Sequence, residues 1–315
     1  MLNKAELSQE QTKPTLDLIN LRLLFIAVSI LSLAAIFIRL SENELSPNAT
    51  IFNRFWIGSL TLLMWKALAK ARNTTSLGLS VQPKPWTIRD LALFVVLCVV
   101  SGLCLLTWAW SLTHTSVANS NLLHNLTPIF ATLGDWLFWG HYFDGRFLIG
   151  LVLAIGGAIA VGVEDLHYSP EHLIGDAVAL LSAVFYAGSF LICEQLLKKF
   201  HATTILLWNC TFGGLLLFPI VLWSENQIFP SSFLGWFSVI GLGFLCQGIG
   251  QGIVTYSLKT FSAGFVSLFL LLGPLMTAIF AWIIFGERLS ILNWVAFFVV
   301  LAGIYLAKSG KGAEQ

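Results

Sequence analysis

The chain has 315 residues, of which 57% are hydrophobic and only 10% charged, and its formal net charge is +1. With a mean hydropathy of +0.83 it carries far more apolar surface than a soluble globule of this length can bury, which marks it as a polytopic membrane protein. No stretch reads as a soluble domain, and the partners implied are a lipid bilayer and a small molecule, with no nucleic acid.

Residues 1–20 contain Glu6, Glu10 and Asp17 and no apolar h-region, so they read as a cytoplasmic N-terminal tail rather than a signal or transit peptide. A helix rises about 1.5 Å per residue and the hydrocarbon core is about 30 Å thick, so each span needs roughly 20 apolar residues. Ten such spans follow, near 21–40, 50–69, 91–111, 116–139, 147–163, 174–193, 203–223, 234–256, 262–285 and 291–307. The runs lack the ten-residue alternation of an outer-membrane barrel, so the expected fold is all-α. All five cysteines (Cys98, Cys104, Cys193, Cys210 and Cys246) fall inside spans without metal-ligand spacing, which predicts neither disulfides nor a metal.

Positive loops stay cytoplasmic. With the N-terminus inside, fourteen of the 17 Lys and Arg residues fall on the inner side, among them those of the 66–89 loop, and only Arg39, Arg54 and Arg288 fall outside. Both termini are therefore expected in the cytoplasm, with the chain in a cell (inner or plasma) membrane.

The spans form two sets of five. A shift of 146 residues pairs Ser111-Leu112 with Ser257-Leu258, Ser116 with Ser262, Leu122 with Leu268, Leu126 with Leu272, Pro128 with Pro274, Trp136 with Trp282, Gly140 with Gly286 and Gly157 with Gly303. Five crossings is an odd number, so the second copy enters the bilayer from the opposite side, which is the inverted-repeat plan of secondary transporters. The copies are expected at 21–165 and 173–308.

Two five-helix halves, Arg54 early in the second span (Asn53-Arg54-Phe55-Trp56), a proline midway through the fourth and ninth, and Phe285-Gly286-Glu287-Arg288 closing the ninth together resemble the drug/metabolite transporter superfamily, in its EamA-type ten-helix branch. The resemblance runs from about residue 20 to 308. It implies export of small metabolites, amino acids or related compounds, from a central cavity between the halves. One departure is that the first half closes with Gly140-His141 where family repeats often have Gly-Glu, so a role for that carboxylate is expected only of Glu287.

The fourth span is the most polar. At about 100° per residue, His114, Asn121, His124, Asn125, Pro128, Thr132 and Asp135 share an arc of about 100°, which must meet protein partners or water rather than lipid. The aligned ninth span has Leu270, Leu271 and Ala281 where the fourth has His124, Asn125 and Asp135, which favours a cavity wall over structural glue. Asn121, His124 and Asn125 are therefore expected to bind substrate, joined by Tyr186 of the sixth span and Gln247 and Gln251 of the eighth. His124, ahead of Asp135, is the candidate for proton coupling, because histidine titrates near neutrality. Pro128 and Pro274 are expected hinges, since each frees a carbonyl four residues earlier at mid-membrane. Arg39 and Arg54, near the outer interface, either snorkel to headgroups or attract an anionic or zwitterionic substrate.

Rival classes fit less well. No Gly-x-Ser-x-Gly, HExxH or Walker A pattern occurs, and the two intramembrane histidines share one helix, unlike a haem pair. The expectation is a secondary transporter exporting a small polar or amphipathic metabolite by alternating access, without cofactor. A facilitator without ion coupling stands next, ahead of a membrane enzyme or scaffold, and a homodimer is left open.

Overall fold

The computed structural model describes residues 4–75, 85–162, 173–285 and 291–314. Over these the chain is helical, with a single β bridge between Phe261 and Glu314. The helices are α1 (Lys4–Ser32), α2 (Ala34–Ser41), α3 (Pro47–Thr75), α4 (Ile88–Leu112), α5 (Val117–His124), α6 (Thr127–Trp139), α7 (Gly145–Gly162), α8 (Leu173–Leu197), α9 (Ala202–Ser224) and α10 (Phe233–Ile240). A π-helical stretch (Gly241–Gly250) then leads to α11 (Gln251–Ser257), α12 (Ala263–Phe269), α13 (Leu272–Phe285) and α14 (Ile291–Ser309).

Among the described residues, seven stretches are long and apolar enough to cross a membrane: Leu18–Ser41, Ile88–Leu112, Leu173–Leu197, Ala202–Ser224, Phe233–Ser257, Ala263–Ile284 and Ile291–Ser309. Gly145–Ala160 is a shorter apolar helix. The expected first span is the end of a helix that already begins at Lys4, inside the expected tail. Glu287 and Arg288 lie outside the described residues.

Three expected spans are not continuous helices, the first of them broken at Leu33 between α1 and α2. The fourth breaks at Asn125-Leu126 and the ninth at Leu270-Leu271, 145 positions apart and so within one residue of the repeat register. Pro128 therefore stands in the first turn of α6, where its missing N–H costs nothing, rather than inside a helix. The loosened carbonyls are not left bare. Thr127 Oγ1 donates to the His124 carbonyl at 2.6 Å, and Gly273 N donates to the Leu270 carbonyl at 2.8 Å. Ser116 and Ser262, also paired by the shift, cap α5 and α12 alike, each side-chain oxygen accepting from the amide three residues on.

Lipid is as apolar as a leucine side chain, so these helices associate through close packing rather than water exclusion. The α7–α14 crossing is the clearest case. A Cβ built on Gly150 would come 2.5 Å from the Ala307 amide nitrogen, and one on Gly303 would come 2.6 Å from that of Ala154. Bulky residues instead point outward, as with Phe233 at 87% and Ile291 at 84% exposure. The other main contacts join α4 to α8, α3 to α9, α6 to α12, and α1 to both the π-helical stretch and α11.

Backbone cannot yield as a side-chain tip can, so Gly150→Ala should lower stability by about 1–3 kcal/mol. Gly156→Ala, where nothing lies within 4 Å, should leave the melting temperature in detergent unchanged.

Candidate functional site

A cavity of about 590 Å³ lies at the centre of the bundle. Its walls come from α3 (Arg54, Phe55), α4 (Ser101, Cys104, Trp108), α5 (His124), α8 (Tyr186, Ser189, Cys193), α9 (Asn209) and the π-helical stretch and α11 (Gln247, Gln251). At one end it reaches Glu42 and Pro47 of the α2–α3 turn and Thr113 after α4, all exposed.

Two polar clusters face each other across largely apolar walls. In the first, His124 Nδ1 lies 2.8 Å from Ser182 Oγ, and that hydroxyl donates to the Ala179 carbonyl at 2.6 Å. With the serine proton committed, Nδ1 of a neutral His124 is the donor and Nε2 carries the free lone pair. The imidazole stacks on Tyr186, with centroids 5.2 Å apart and planes 24° apart, and tilts against Trp108 at 5.8 Å. In the second cluster, Arg54 Nε donates to Gln247 Oε1 at 2.8 Å, while Gln247 Nε2 contacts Cys210 Sγ at 3.2 Å. No carboxylate pairs with Arg54 among the described residues, so its guanidinium is a bare cation on the cavity wall.

The π-helical stretch explains why Gln247 reaches α3. A Cβ on its Gly243 would sit 2.5 Å from Ile57, so only glycine lets the two backbones approach that closely. The widened turn then directs Gln247, which is 4% exposed, at Arg54. Short π segments inside α-helices recur at functional sites.

Of the residues expected to bind substrate, His124, Tyr186, Gln247 and Gln251 line this cavity. Asn121 and Asn125 do not. Asn121 is exposed, and Asn125 borders a narrow gap against Ile155, Ala158 and Ile159 of α7. The break at Asn125-Leu126 ends the 100° rotation that related His124 to the later residues of the polar arc. Asp135 is likewise away from the cavity. It is fully buried rather than reaching water, its Oδ2 accepting from Gly264 N at 3.1 Å. Sequence reasoning missed Trp108 and Asn209; a lone asparagine in the apolar seventh span was the available signal for the latter.

The opposite end of the bundle is sealed. Lys199, in the α8–α9 turn, pairs with Asp90 at the start of α4 and donates to the Pro85 carbonyl at 2.8 Å. Asp90 is itself held in a capping box with Thr87. Beside them Trp86, Phe94, Phe200 and Trp208 pack ring against ring, with centroids 4.7 to 6.1 Å apart. At the mouth end, amides and hydroxyls of Ser231 and Ser232 converge on Glu44 and hold its carboxyl below the usual range, so this tie persists at neutral pH and weakens only in acid.

The profile of the EamA-like transporter family matches residues 19–163 and 173–308. The chain is 26% identical over 265 residues to the pseudopaline exporter CntI of Pseudomonas aeruginosa, covering 83% of this chain and 86% of that protein. It is 26% identical over 283 residues to an uncharacterized transporter of Archaeoglobus fulgidus, covering 86% and 91%. UDP-galactose transporter 1 of Arabidopsis thaliana matches at 25% over 206 residues, 61% of this chain and 59% of that one. A solved crystal structure superposes with a TM-score of 0.77 at 17% identity over 91% of this chain and 96% of its own, a likeness of fold. Matched by the family pattern in both halves, this multi-pass membrane protein belongs to the EamA-like transporter family.

Proposed function

We propose that the chain crosses the membrane ten times as two inverted five-helix repeats and exports a small amphipathic metabolite by alternating access. The observation that carries this reading is the central cavity, walled by both halves, with a bare cation on one side and an aromatic-histidine slot on the other. The helix pairing supports the inverted repeat. Exchanging the halves turns the α4–α8 contact, third span against sixth, into that of α1 with the π-helical stretch and α11, first against eighth. The same exchange leaves the α3–α9, α6–α12 and α7–α14 pairs unchanged.

The chemistry of the walls narrows the substrate. A guanidinium inside an apolar cavity favours a ligand that brings a carboxylate or another anionic group, while Tyr186, Trp108 and Phe55 suit an apolar or ring-bearing body. Amino acids and their conjugates satisfy both conditions. Relatives named as an exporter and as nucleotide-sugar transporters are consistent with an anion-bearing cargo, without naming this one. Untargeted metabolite profiling of medium and cells, with and without expression, identifies the substrate.

In the orientation set by the Lys and Arg distribution, both termini and the Asp90–Lys199 seal are cytoplasmic, so the described conformation faces outward. Opening inward then requires that this ion pair and the aromatic layer part, with α5–α6 and α12–α13 bending at their breaks near Pro128 and Pro274. Proton coupling through Nε2 of His124 completes the cycle. A facilitator is the second reading, favoured by the fact that neutral His124 already has its donor satisfied by Ser182.

Three measurements test these statements. Alanine at Arg54 or His124 should lower transport of the identified substrate at least tenfold, about 1.4 kcal/mol of lost interaction, while Asn121→Ala and Asn125→Ala transport as the parent does. Loss in the asparagine variants alone would reverse the assignment. Lys199→Ala should speed labelling of Cys193 by a thiol reagent added from the cytoplasmic side, and unchanged labelling would remove that pair from the gate. In liposomes without a substrate gradient, an imposed pH gradient should drive substrate flux, and His124→Ala should abolish the driving effect. Flux indifferent to pH in the parent identifies the facilitator.

A further inference from the structure

At the sealed end, outside the cavity, three chemically matched side chains converge. Asp135 on α6, Glu194 on α8 and His141 just beyond α6 bring one ligand atom each to within 4.8 Å of one another. The local fold is built for this. Gly140 ends α6 with a φ of +67°, a left-handed conformation that glycine adopts without strain, and the reversed chain lets the His141 amide bond back to the Asp135 carbonyl at 3.2 Å. That turn carries the imidazole over the Asp135 carboxylate.

Both carboxylates are deeply buried, Asp135 at 0% and Glu194 at 2% exposure, and each keeps an oxygen without a hydrogen-bond donor: Asp135 Oδ1 and Glu194 Oε2. Two unneutralised carboxylates in an apolar interior are costly, and an acidic pair persists there only with a shared proton or with positive charge brought to it. The neighbouring Lys198 is engaged elsewhere, its Nζ on Gln195 Oε1 at 3.0 Å and over the Trp139 ring. His141 Nδ1 stands 3.8 Å from Asp135 Oδ1, too far for a hydrogen bond. Two ligands flanking one four-coordinate cation at about 2.0–2.1 Å sit roughly 3.4 Å apart, which a small side-chain rotation supplies here.

We propose that Asp135, His141 and Glu194 form a binding site for one first-row divalent cation, Zn2+ in preference to Mg2+. A nitrogen ligand beside two carboxylates suits a borderline-soft ion, whereas Mg2+ prefers oxygen throughout. The cation neutralises the pair, leaves one coordination position for water, and enters past His141, which is partly exposed. It ties α6 to α8 and, through the Gly264 amide on Asp135, holds α12 beside them. The site does not depend on what the central cavity carries.

The test uses full-length protein in detergent, purified through a tag without histidine. Isothermal titration should give one Zn2+ per chain, bound at least a hundredfold more tightly than Mg2+. His141→Ala, on the partly exposed turn, should weaken Zn2+ at least tenfold while the metal-free melting temperature stays put. His201→Ala, at an exposed position on the same end, should bind as the parent does. Glu194→Gln should also lose the ion. Absence of Zn2+ binding by the parent overturns the proposal and leaves the carboxyls sharing a proton. Equal binding by His141→Ala overturns it too, assigning the metal to thiols elsewhere.

Discussion

Inside a bilayer no water is available to satisfy backbone groups, so every interruption of a helix must be answered by another part of the protein. The site depends on how this constraint is met at three places. Between α5 and α6 the Thr127 hydroxyl takes up the His124 carbonyl, and between α12 and α13 the Ser32 hydroxyl reaches the Gly273 carbonyl at 3.1 Å while Thr277 returns a bond to the Ser32 carbonyl. The third place is the π-helical stretch, where wider turns and backbone approach to α3 go together. The α5–α6 break follows His124 and the π-helical stretch carries Gln247, both on the cavity wall, while α12 and α13 contribute no wall residue.

The same economy of partners separates the polar residues into those that are closed and those that are available. Ser111 bonds Ser120 at 2.6 Å, and Asn53 bonds the Ala49 and Ile228 carbonyls at 2.8 and 2.7 Å. These groups hold helices together and face no cavity. Arg54 and His124 are different: each spends one nitrogen on a protein partner, Gln247 or Ser182, and keeps the rest of its polar head toward the cavity. An arginine fixed at one nitrogen is a rigid anchor for an anion. A histidine fixed at Nδ1 presents a defined Nε2.

The two ends of the bundle are built from unlike materials. The mouth end joins the halves through polar ties, Glu44 to Ser231 and Ser232 and Asn48 to Glu225 at 3.2 Å. The sealed end combines an ion pair with a layer of four aromatic rings and with the C-terminal segment, whose Gly312 and Ala313 carbonyls accept from Ser262. Polar ties re-form readily in water, while stacked rings resist hydration.

The sequence by itself determined the membrane class, the helical fold and the family, because hydrophobic runs, their length and the 146-residue register are properties of a chain read in one dimension. It also identified His124, Tyr186, Gln247 and Gln251 by their rarity inside apolar segments. It could not separate them from Asn125 and Asp135, because a helical wheel assumes unbroken rotation and the chain departs from it after His124, nor from Asn121, whose exposure is set by how α5 packs. Nor could it place the Arg54 side chain on the cavity wall, since that depends on Gln247, 193 positions away, and on the glycine contacts that bring the two backbones together. The meeting of Asp135, His141 and Glu194 was equally beyond it. Tertiary structure alone decided these points, because burial and the absence of a partner are properties of three-dimensional surroundings and leave no trace in spacing.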